Sequence, residues 1–252
     1  MEQYSTSQKY NFHLYWDDDD SFVGSSVARD DYEPYESELF LAFTAANSVV
    51  IDVGANIGYY ALLAAQKIMP QMGFVYAFEP EKRNYELLQK NIGANNIATV
   101  EPLKIAIAED DGLKELFLSN HNKGDHQLYF SPDREIQTVE CLRLDTFIRM
   151  KSLQPTIIKI DAQGYDYFVL KSGQSFIDNA TNLVVFTEFW DHGNRHAGVD
   201  SREYFDYLNR TFKQVLYIDE LKRDIYPVDF DFLGPVFAMH DNHGHGNFLC
   251  IR

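Results

Sequence analysis

The sequence predicts an α/β fold in which a mostly parallel β-sheet is covered by helices on both faces. Short apolar runs rich in Val, Ile and Phe recur along the chain, and helical patterns of apolar residues lie between most of them. Several of these runs end in an acidic residue. Acids at strand ends gather at the carboxyl edge of a parallel sheet, where α/β proteins bind their ligands.

The first predicted strand, Val49–Val53, leads into a small-residue turn, Gly54–Gly58, and then into a helical pattern at Tyr59–Ala65. This order of strand, tight turn and helix N-terminus is typical of a site for a nucleotide-like ligand. The spacing is Asp-x-Gly-x-Asn-x-Gly, starting at Asp52, whereas dinucleotide-binding turns read Gly-x-Gly-x-x-Gly. The turn therefore favours a nucleotide-like cofactor other than a dinucleotide.

Four residues of this motif suit such a cofactor. Gly54 and Gly58 let the backbone approach a ligand closely, and Asn56 can adopt the left-handed conformation that most residues avoid. Asp52 places a carboxylate where a cationic or hydroxyl-bearing group would lie, and that carboxylate would repel a pyrophosphate.

The second predicted strand, 74–79, ends in another acid, Glu79. A carboxylate at this position, about twenty residues after the turn, accepts hydrogen bonds from ribose hydroxyls. Ribose recognition suits either NAD or S-adenosylmethionine (SAM). SAM also carries an amino group and a sulfonium, which tolerate nearby acids, so we expect SAM as the cofactor.

The other predicted elements continue the alternation, with one insertion. A helix over 36–46 precedes the first strand, a helix over 82–91 follows the second, and a third strand lies within 100–108. Short strands at 114–118 and 137–144 then form a β-hairpin insertion. Parallel order resumes with strands at 156–161, 183–188, 214–218 and 248–251 and helices at 165–170 and 203–212. We expect seven strands in the main sheet, parallel except at its end.

Composition bounds the class of protein. A chain of 252 residues most simply forms one domain with a substantial core. The net charge of −16 repels phosphate backbones and anionic membranes, so we expect neither a nucleic-acid nor a membrane partner. Cys141 and Cys250 are expected to be reduced packing residues. The start of the chain has no signal-peptide pattern, and no apolar run approaches the ~20 residues that span a bilayer, so we expect a cytoplasmic protein whose oligomeric state stays open.

The two ends of the chain are less regular. Residues 1–35 are aromatic and acidic and are predicted to form an N-terminal extension or lid, with 36–252 as the main domain. The extension could stack on a sugar or ring, or pack against the domain. The acidic run Asp17–Asp20 is interpreted as a solvated loop. The stretch His240–His245 is interpreted as a polar turn between two strands, so no metal site is predicted. A divalent cation held by Asp161 and Glu188 stays an open alternative that nothing in the sequence demands.

Several of these segments resemble the FkbM family of class I SAM-dependent methyltransferases. The matching segments are Val50–Tyr59, Ala77–Pro80, Ala106–Gly112, Gly124–Tyr129, Arg143–Asp145 and Ile158–Asp166. The first segment is common to many methyltransferases, but its combination with Lys-Ile-Asp-x-x-Gly is much more specific. The resemblance covers residues 36 to 192 and implies a Rossmann-like class I methyltransferase fold, with the β-hairpin insertion after the third strand.

The resemblance also implies roles for particular residues. Asp52, Gly54, Asn56 and Gly58 would line the methionine end of SAM, and Asp161 would lie between the methionine and the acceptor. The ribose and adenine contacts would fall to Glu79 and to the backbone around Ala106. Gln163 lies where the family most often has Glu, so we assign it no catalytic role.

The family resemblance implies methyl transfer, most often to a hydroxyl of a sugar, polyketide or similar small metabolite. A neutral hydroxyl needs a base to accept its proton. The candidates are Asp161, Glu188 and His126, of which Asp161 is the best placed. A structural alternative stays open for each of them. Asp161 could be a turn cap or a cofactor ligand, Glu188 a strand-end cap, and His126 a surface histidine.

Three other classes of protein compete with this interpretation. An NAD-dependent oxidoreductase should carry the closer glycine spacing, which the turn at Asp52 lacks. Amino methyltransferases usually carry an Asn/Asp-Pro-Pro-aromatic motif where this chain has Asp161–Gly164. A non-catalytic interaction protein on the same fold would be expected to lose its strand-end acids, which are present here.

Overall fold

The computed structural model describes residues 1–18, 23–120, 122–239 and 244–252. Part of the acidic run (Asp19 and Asp20), the aromatic Phe22, the loop residue His121 and the stretch His240–His243 lie outside the described residues. The interpretations of Asp17–Asp20 and His240–His245 given above therefore stay predictions. No helix in the described ranges is both long enough and apolar enough to cross a bilayer.

The central sheet has eight strands, numbered here in chain order. Across the sheet they are β12 (Asp224–Tyr226), β11 (Gln214–Asp219), β13 (His245–Ile251), β10 (Val184–Trp190), β9 (Ile157–Ile160), β3 (Val49–Val53), β4 (Phe74–Phe78) and β5 (Val100–Leu103). Strands β10, β9, β3, β4 and β5 are parallel neighbours, whereas β13 runs antiparallel to both β10 and β11. The predicted fold class is confirmed. The predicted count of seven strands is one short, because β12 is a three-residue edge strand without a clear apolar pattern.

Helices cover both faces of this sheet. Along the chain they are α1 (Val23–Ala28), α2 (Pro34–Phe43), α3 (Tyr59–Ala65), α4 (Lys82–Ala94), α5 (Leu144–Lys151), α6 (Asp166–Ser172), α7 (Gln174–Asn179), α8 (Asp191–His196), α9 (Ser201–Thr211) and α10 (Gly234–Phe237). Consecutive strand residues point to opposite faces, so Val50 packs in the core beneath α3 and α4 while Ile51 packs in the core beneath α5 and α9. The central strands are buried on both sides for this reason.

The predicted β insertion is present, but it has three strands. β7 (Gly112–Leu118) and β8 (Glu135–Leu142) pair antiparallel, and β6 (Ala106–Ile107) pairs parallel to β8. Residues 100–108 were expected to hold a single third strand. The chain instead leaves the central sheet after Leu103 and contributes Ala106 and Ile107, as β6, to the insertion.

The N-terminal segment forms a β-hairpin that packs on α4. Strands β1 (Glu2–Ser7) and β2 (Phe12–Asp17) are antiparallel. The backbone N–H of Tyr15 donates to Asn91 Oδ1 at 2.6 Å, and Asn91 Nδ2 donates back to the Tyr15 carbonyl at 3.0 Å. Leu14 is fully buried within the core beneath α3. The hairpin therefore shares the hydrophobic core of the main domain.

Candidate cofactor and acceptor site

A cavity of about 670 Å³ lies at the carboxyl ends of the parallel strands. One end is bounded by the turn after β3, by the end of β4 and by the insertion sheet. The other end is bounded by the segment before α2 and by the ends of β9, β10 and β13. This position is where a sheet of this topology offers a ligand site.

Backbone geometry in the turn after β3 brings two loops into contact. Gly54 has a φ of 78°, and a Cβ at this residue would lie 1.9 Å from the carbonyl oxygen of Asp161. Only glycine allows that approach. Asn56 adopts the left-handed conformation with a φ of 50°, as its position in the turn predicted. Gly58 has a φ of 100°, and a Cβ there would lie 2.7 Å from Leu88 Cδ1 on α4.

Glu79, directly after β4, binds the backbone of this turn. Its carboxylate accepts the backbone N–H of Asn56 at 2.9 Å and the backbone N–H of Glu81 at 2.8 Å. Burial raises the pKa of Glu79 to about 8, although these two N–H groups oppose the rise. A carboxylate has about four lone-pair positions, so two acceptor positions are left for a ligand.

Asp52 lies inside β3 and is 2% exposed. Its Oδ2 has no hydrogen-bond partner within the described ranges, although it borders the cavity. Burial raises the pKa of Asp52 to about 7; the nearby Lys159 ammonium opposes this rise and the Asp161 carboxylate adds to it. An unpaired carboxylate oxygen at such a position is costly unless a cation or donor binds it.

Acids cluster where β9 and β10 end. Asp161 follows β9, and its Oδ1 accepts a hydrogen bond of 2.6 Å from Gln163 Nε2. Glu188 lies in β10, is 8% exposed, and its Oε2 lacks a hydrogen-bond partner in the part of the chain described. Burial raises the pKa of Glu188 well above its ordinary value, and the charges of Asp161 and Asp166 raise it further. Asp161 and Glu188, both predicted from sequence, thus lie near each other.

A buried ion pair beside these acids was not predicted. Lys159 Nζ in β9 lies 3.2 Å from Glu36 Oε1 in α2, with side chains 1% and 0% exposed. Burial raises the pKa of Glu36 to about 8, and Lys159 opposes that rise. Burial would lower the pKa of Lys159, but Glu36 and the neighbouring carboxylates outweigh burial and raise it. A lysine inside an otherwise apolar strand was the available signal in the sequence.

The segment before α2 supplies a further acid. Glu33 has a φ of 39° and accepts a hydrogen bond of 2.6 Å from the Tyr60 hydroxyl. Asn247 Nδ2, on β13, donates to both Glu33 and Glu36. The Lys159 ammonium lies 4.9 Å from the centre of the Tyr60 ring. Glu33 and Glu36 are thereby joined to α3 and to two strands of the sheet, β9 and β13, at this end of the cavity.

The opposite end of the cavity is apolar. Side chains from the ends of β4 and β5 and from the insertion line it: Phe78, Pro80, Ile105, Ala106, Ile107 and Leu128. Ala106 lies in β6 and is almost completely buried. Such a wall suits a flat heteroaromatic ring.

His126 also borders the cavity, at the Glu79 end. Its Nδ1 accepts the backbone N–H of Ser119 at 3.1 Å. This bond leaves Nε2 as the protonated nitrogen of the neutral ring. Burial lowers the pKa of His126, and the charge of Glu81 opposes the fall. The acids whose charges act on His126 are Glu81 and Asp125, whereas those that act on Glu188 include Asp161.

The sequence match decides the family. Residues 52–218 match the methyltransferase FkbM domain. The chain belongs to the FkbM family of methyltransferases. The cofactor of this FkbM-family methyltransferase is SAM. No curated protein matches the sequence significantly.

Solved structures are similar to this FkbM-family chain. An rRNA methylase from Streptococcus thermophilus is 11% identical, with a TM-score of 0.51, over 86% of this chain and 93% of that chain. The FkbM methyltransferase from Methylobacillus flagellatus KT is 16% identical, with a TM-score of 0.48, over 93% of this chain and 55% of that chain. An O-methyltransferase from Bacillus cereus in complex with SAH is 11% identical, with a TM-score of 0.48, over 87% of this chain and 80% of that chain.

Proposed function

We propose that this methyltransferase transfers the methyl group of SAM to a hydroxyl of a small metabolite, sugar or polyketide-type acceptor. The observation that carries the proposal is the pair of carboxyl groups, Asp161 and Glu188, at the cavity end away from the apolar wall. A hydroxyl becomes a better nucleophile when a nearby carboxylate accepts its proton. These two acids border the same cavity as the turn after β3.

The residues around the turn fit SAM. The unpartnered Asp52 Oδ2 and the equally buried Asn56 Oδ1, which has no hydrogen-bond partner among the described residues, can bind an ammonium group. Gly54 lines the cavity, and the missing Cβ atoms of Gly54 and Gly58 let the turn pack closely against Asp161 and Leu88. We assign the methionine end of SAM to these four residues together with Asp161.

The remaining cofactor contacts follow from the other end of the cavity. Glu79 keeps acceptor capacity for the ribose hydroxyls. We assign the adenine to the apolar wall around Ala106. His126, with Nε2 protonated, can donate a hydrogen bond at this end, so we propose a binding role for it and not the role of base.

Asp161 is the proposed base. Bound SAM supplies an electrophilic methyl group, whose transfer to the acceptor oxygen leaves the sulfur as a neutral thioether. Asp161 accepts the hydroxyl proton, and Gln163 holds its carboxylate in place by the bond to Oδ1. Glu188, beside Asp161, orients the acceptor and is the second candidate base.

A small acceptor is supported over a nucleic acid by charge. The chain carries a net charge of −16, and the acceptor end of the cavity contains Glu33, Asp161 and Glu188. Phosphate groups would be repelled there. We further propose that residues 1–35 serve as a wall of the acceptor pocket, because Val23, Tyr32 and Glu33 border the cavity.

Calorimetric titration with S-adenosylhomocysteine (SAH), with NAD as the control, tests the cofactor assignment. We expect SAH alone to bind. Glu79→Gln should weaken SAH binding by roughly tenfold, since one ribose acceptor becomes a donor. Wild-type SAH affinity in Glu79→Gln would overturn the ribose assignment, and binding of NAD alone would overturn the cofactor site.

Turnover of SAM bearing a deuterated methyl group then tests the acceptor chemistry. Hydroxylated metabolites and sugars are supplied, and NMR of the product locates the methyl group. We expect an O-methyl product and a loss of about 100-fold in kcat for Asp161→Asn, the lower part of the range for removing a general base. A methyl group on carbon or nitrogen would contradict the O-methyl assignment.

A further inference from the structure

The acceptor end of the cavity has an excess of negative groups. Glu188 borders it from β10, Asp161 from the end of β9, and Glu33 from the segment before α2. Asp166, at the start of α6, lies behind Glu188 and close enough to raise its pKa. Three carboxyl groups from three elements therefore face one small volume, and the buried Asp166 adds its charge from outside the cavity lining.

The cations that face these acids do not balance them. Lys159 is the buried cation among the described residues here, and its charge is matched by Glu36 at 3.2 Å. His245, on β13, also borders this end and is exposed to solvent. SAM would bring one net positive charge, which the assigned site places beside Asp52 and Asp161. The Lys159 charge also acts on Glu33 and Glu188, but neither acid forms an ion pair in the described ranges.

One oxygen among these carboxyl groups indicates that a ligand binds here. Glu188 is 8% exposed, and its Oε2 has no hydrogen-bond partner anywhere in the described part of the chain. A buried carboxylate oxygen of this kind is costly to leave unpaired, and a bound ammonium group would satisfy it.

Aromatic rings border the same volume. Tyr32, Tyr60 and Trp190 line the cavity together with the two acids. The Lys159 ammonium already lies 4.9 Å from the centre of the Tyr60 ring, so this wall accommodates one ammonium group by a cation–π contact. Carboxylates interleaved with aromatic rings form a site for a protonated amine.

We propose that the acceptor of this methyltransferase carries a protonated amine, and that Glu188 and Glu33 bind this ammonium group beside the aromatic wall. The acceptor belongs to the class of amino alcohols, which includes amino sugars. Acceptors with a phosphate or carboxylate near the reacting hydroxyl are excluded by the same charges. The inference rests on the proposed O-methyl transfer and specifies its substrate class.

Three probes that share a trans-2-hydroxycyclohexyl skeleton and carry a cationic, a neutral or an anionic second group test this site. They are trans-2-aminocyclohexanol, trans-cyclohexane-1,2-diol and trans-2-hydroxycyclohexanecarboxylate, each titrated by NMR into SAH-bound protein at pH 7. We expect the amino alcohol to bind about tenfold more tightly than the diol, as a cation–π contact and a desolvated ion pair predict, and the carboxylate to bind most weakly. Equal affinities, tighter binding of the carboxylate, or no binding of any probe would overturn the inference.

Variants locate the ammonium group. Glu188→Gln should reduce the advantage of the amino alcohol to about twofold, and Glu33→Gln should reduce it in part. Glu140→Gln removes the same charge from an exposed position on β8, outside the cavity, and should leave the tenfold advantage intact. An advantage unchanged in Glu188→Gln would contradict the assigned residues.

Failure of the function and failure of this inference give different results. SAH binding without a preference for the amino alcohol overturns the inference alone. Absence of SAH binding overturns the cofactor assignment on which both rest. With SAM in place of SAH, methyl transfer to the oxygen of the amino alcohol supports both, whereas transfer to its nitrogen supports the ammonium site and overturns O-methylation.

Discussion

The side-chain amide of Gln163 donates a hydrogen bond of 2.6 Å from Nε2 to Oδ1 of Asp161. Gln163 itself adopts the left-handed conformation, with a φ of 51°, in the turn between β9 and α6. The neutral amide thus fixes the proposed base without adding charge. A glutamate, which resemblance to the family would lead one to expect at this position, could not donate this bond while ionised.

Gln163→Glu should therefore alter the pH dependence of turnover. A second carboxylate beside Asp161 favours protonation of the pair, so the acidic limb of the kcat profile should move to higher pH by about one unit. The measurement is kcat between pH 5 and 9 under saturating SAM. Gln163→Met, which removes the bond without adding charge, should lower kcat with a smaller shift of the limb. Identical profiles for both variants and the wild type would show that Gln163 does not position the base.

Asp52 should make the cofactor-free protein less stable as pH rises. Its pKa is about 7 when folded and near the ordinary 3.8 when unfolded. The folded state therefore retains a proton that the unfolded state loses, and the stabilisation present below pH 4 disappears as pH rises to 7. Urea unfolding should show a lower free energy of unfolding at pH 8 than at pH 5. Asp52 contributes on the order of a few kcal/mol to this difference.

Asp52→Asn should remove that contribution and reduce the difference between pH 5 and pH 8. Asp110→Asn is the matched control, because Asp110 is exposed and the substitution makes the same chemical change. Asp110→Asn should show the wild-type difference in free energy of unfolding between pH 5 and pH 8. If both variants behaved alike, the pH dependence would have to come from the overall charge and not from Asp52.

The buried pair of Lys159 and Glu36 should be strongly coupled. Lys159→Met leaves a buried carboxyl without its cation and should cost about 3–5 kcal/mol of unfolding free energy. Adding Glu36→Gln should recover much of that loss, because the uncompensated acid is removed. Urea unfolding of the two single variants and the double variant measures the coupling.

An exposed pair provides the comparison for this experiment. Lys151 and Glu101 are 2.9 Å apart, with side chains 40% and 36% exposed. Lys151→Met should cost less than about 1 kcal/mol. Additive effects of Lys159→Met and Glu36→Gln would mean that the pair does not act as a unit.

The N-terminal hairpin should stabilise the main domain. Leu14 in β2 is fully buried, so Leu14→Ala should cost about 2–5 kcal/mol and lower the Tm of the whole protein in one transition. Tyr4, in β1 of the same hairpin, is 52% exposed, and Tyr4→Ala should change stability by less than about 0.5 kcal/mol. An unchanged Tm in Leu14→Ala would instead make residues 1–35 an independent extension.

Much of the fold was predictable because its signals are local. The strand at Val49–Val53 and the helix over 82–91 each follow from hydrophobic period and flanking turn residues, and both are present. Proximity of Asp52, Glu79, Asp161 and Glu188 at one edge follows from parallel strands alone. No such rule gives the hairpin at the N-terminus, because β1 is mostly polar and the aromatic residues of β2 lie on both of its faces, which masks the alternation.

The acceptor end was predictable only in part. Strand-end acids are visible in the sequence, but the Lys159–Glu36 pair joins residues far apart in the chain and depends on how α2 packs over the sheet. The same holds for Glu33 and Tyr60, which meet through a tertiary contact. His126 was predicted from its loop, but its tautomer depends on the backbone N–H of Ser119, which sequence cannot reveal.

Strand β13 lies between β10 and β11, although it follows both of them in the chain. During synthesis on the ribosome, the edges of β10 and β11 that pair with β13 therefore stay unpaired until residues His245–Ile251 have been made. Unpaired strand edges are prone to aggregate. Asn247, which bonds Glu33 and Glu36, arrives with the same strand. The sheet is thus closed and the proposed acceptor pocket completed in the same late step of folding.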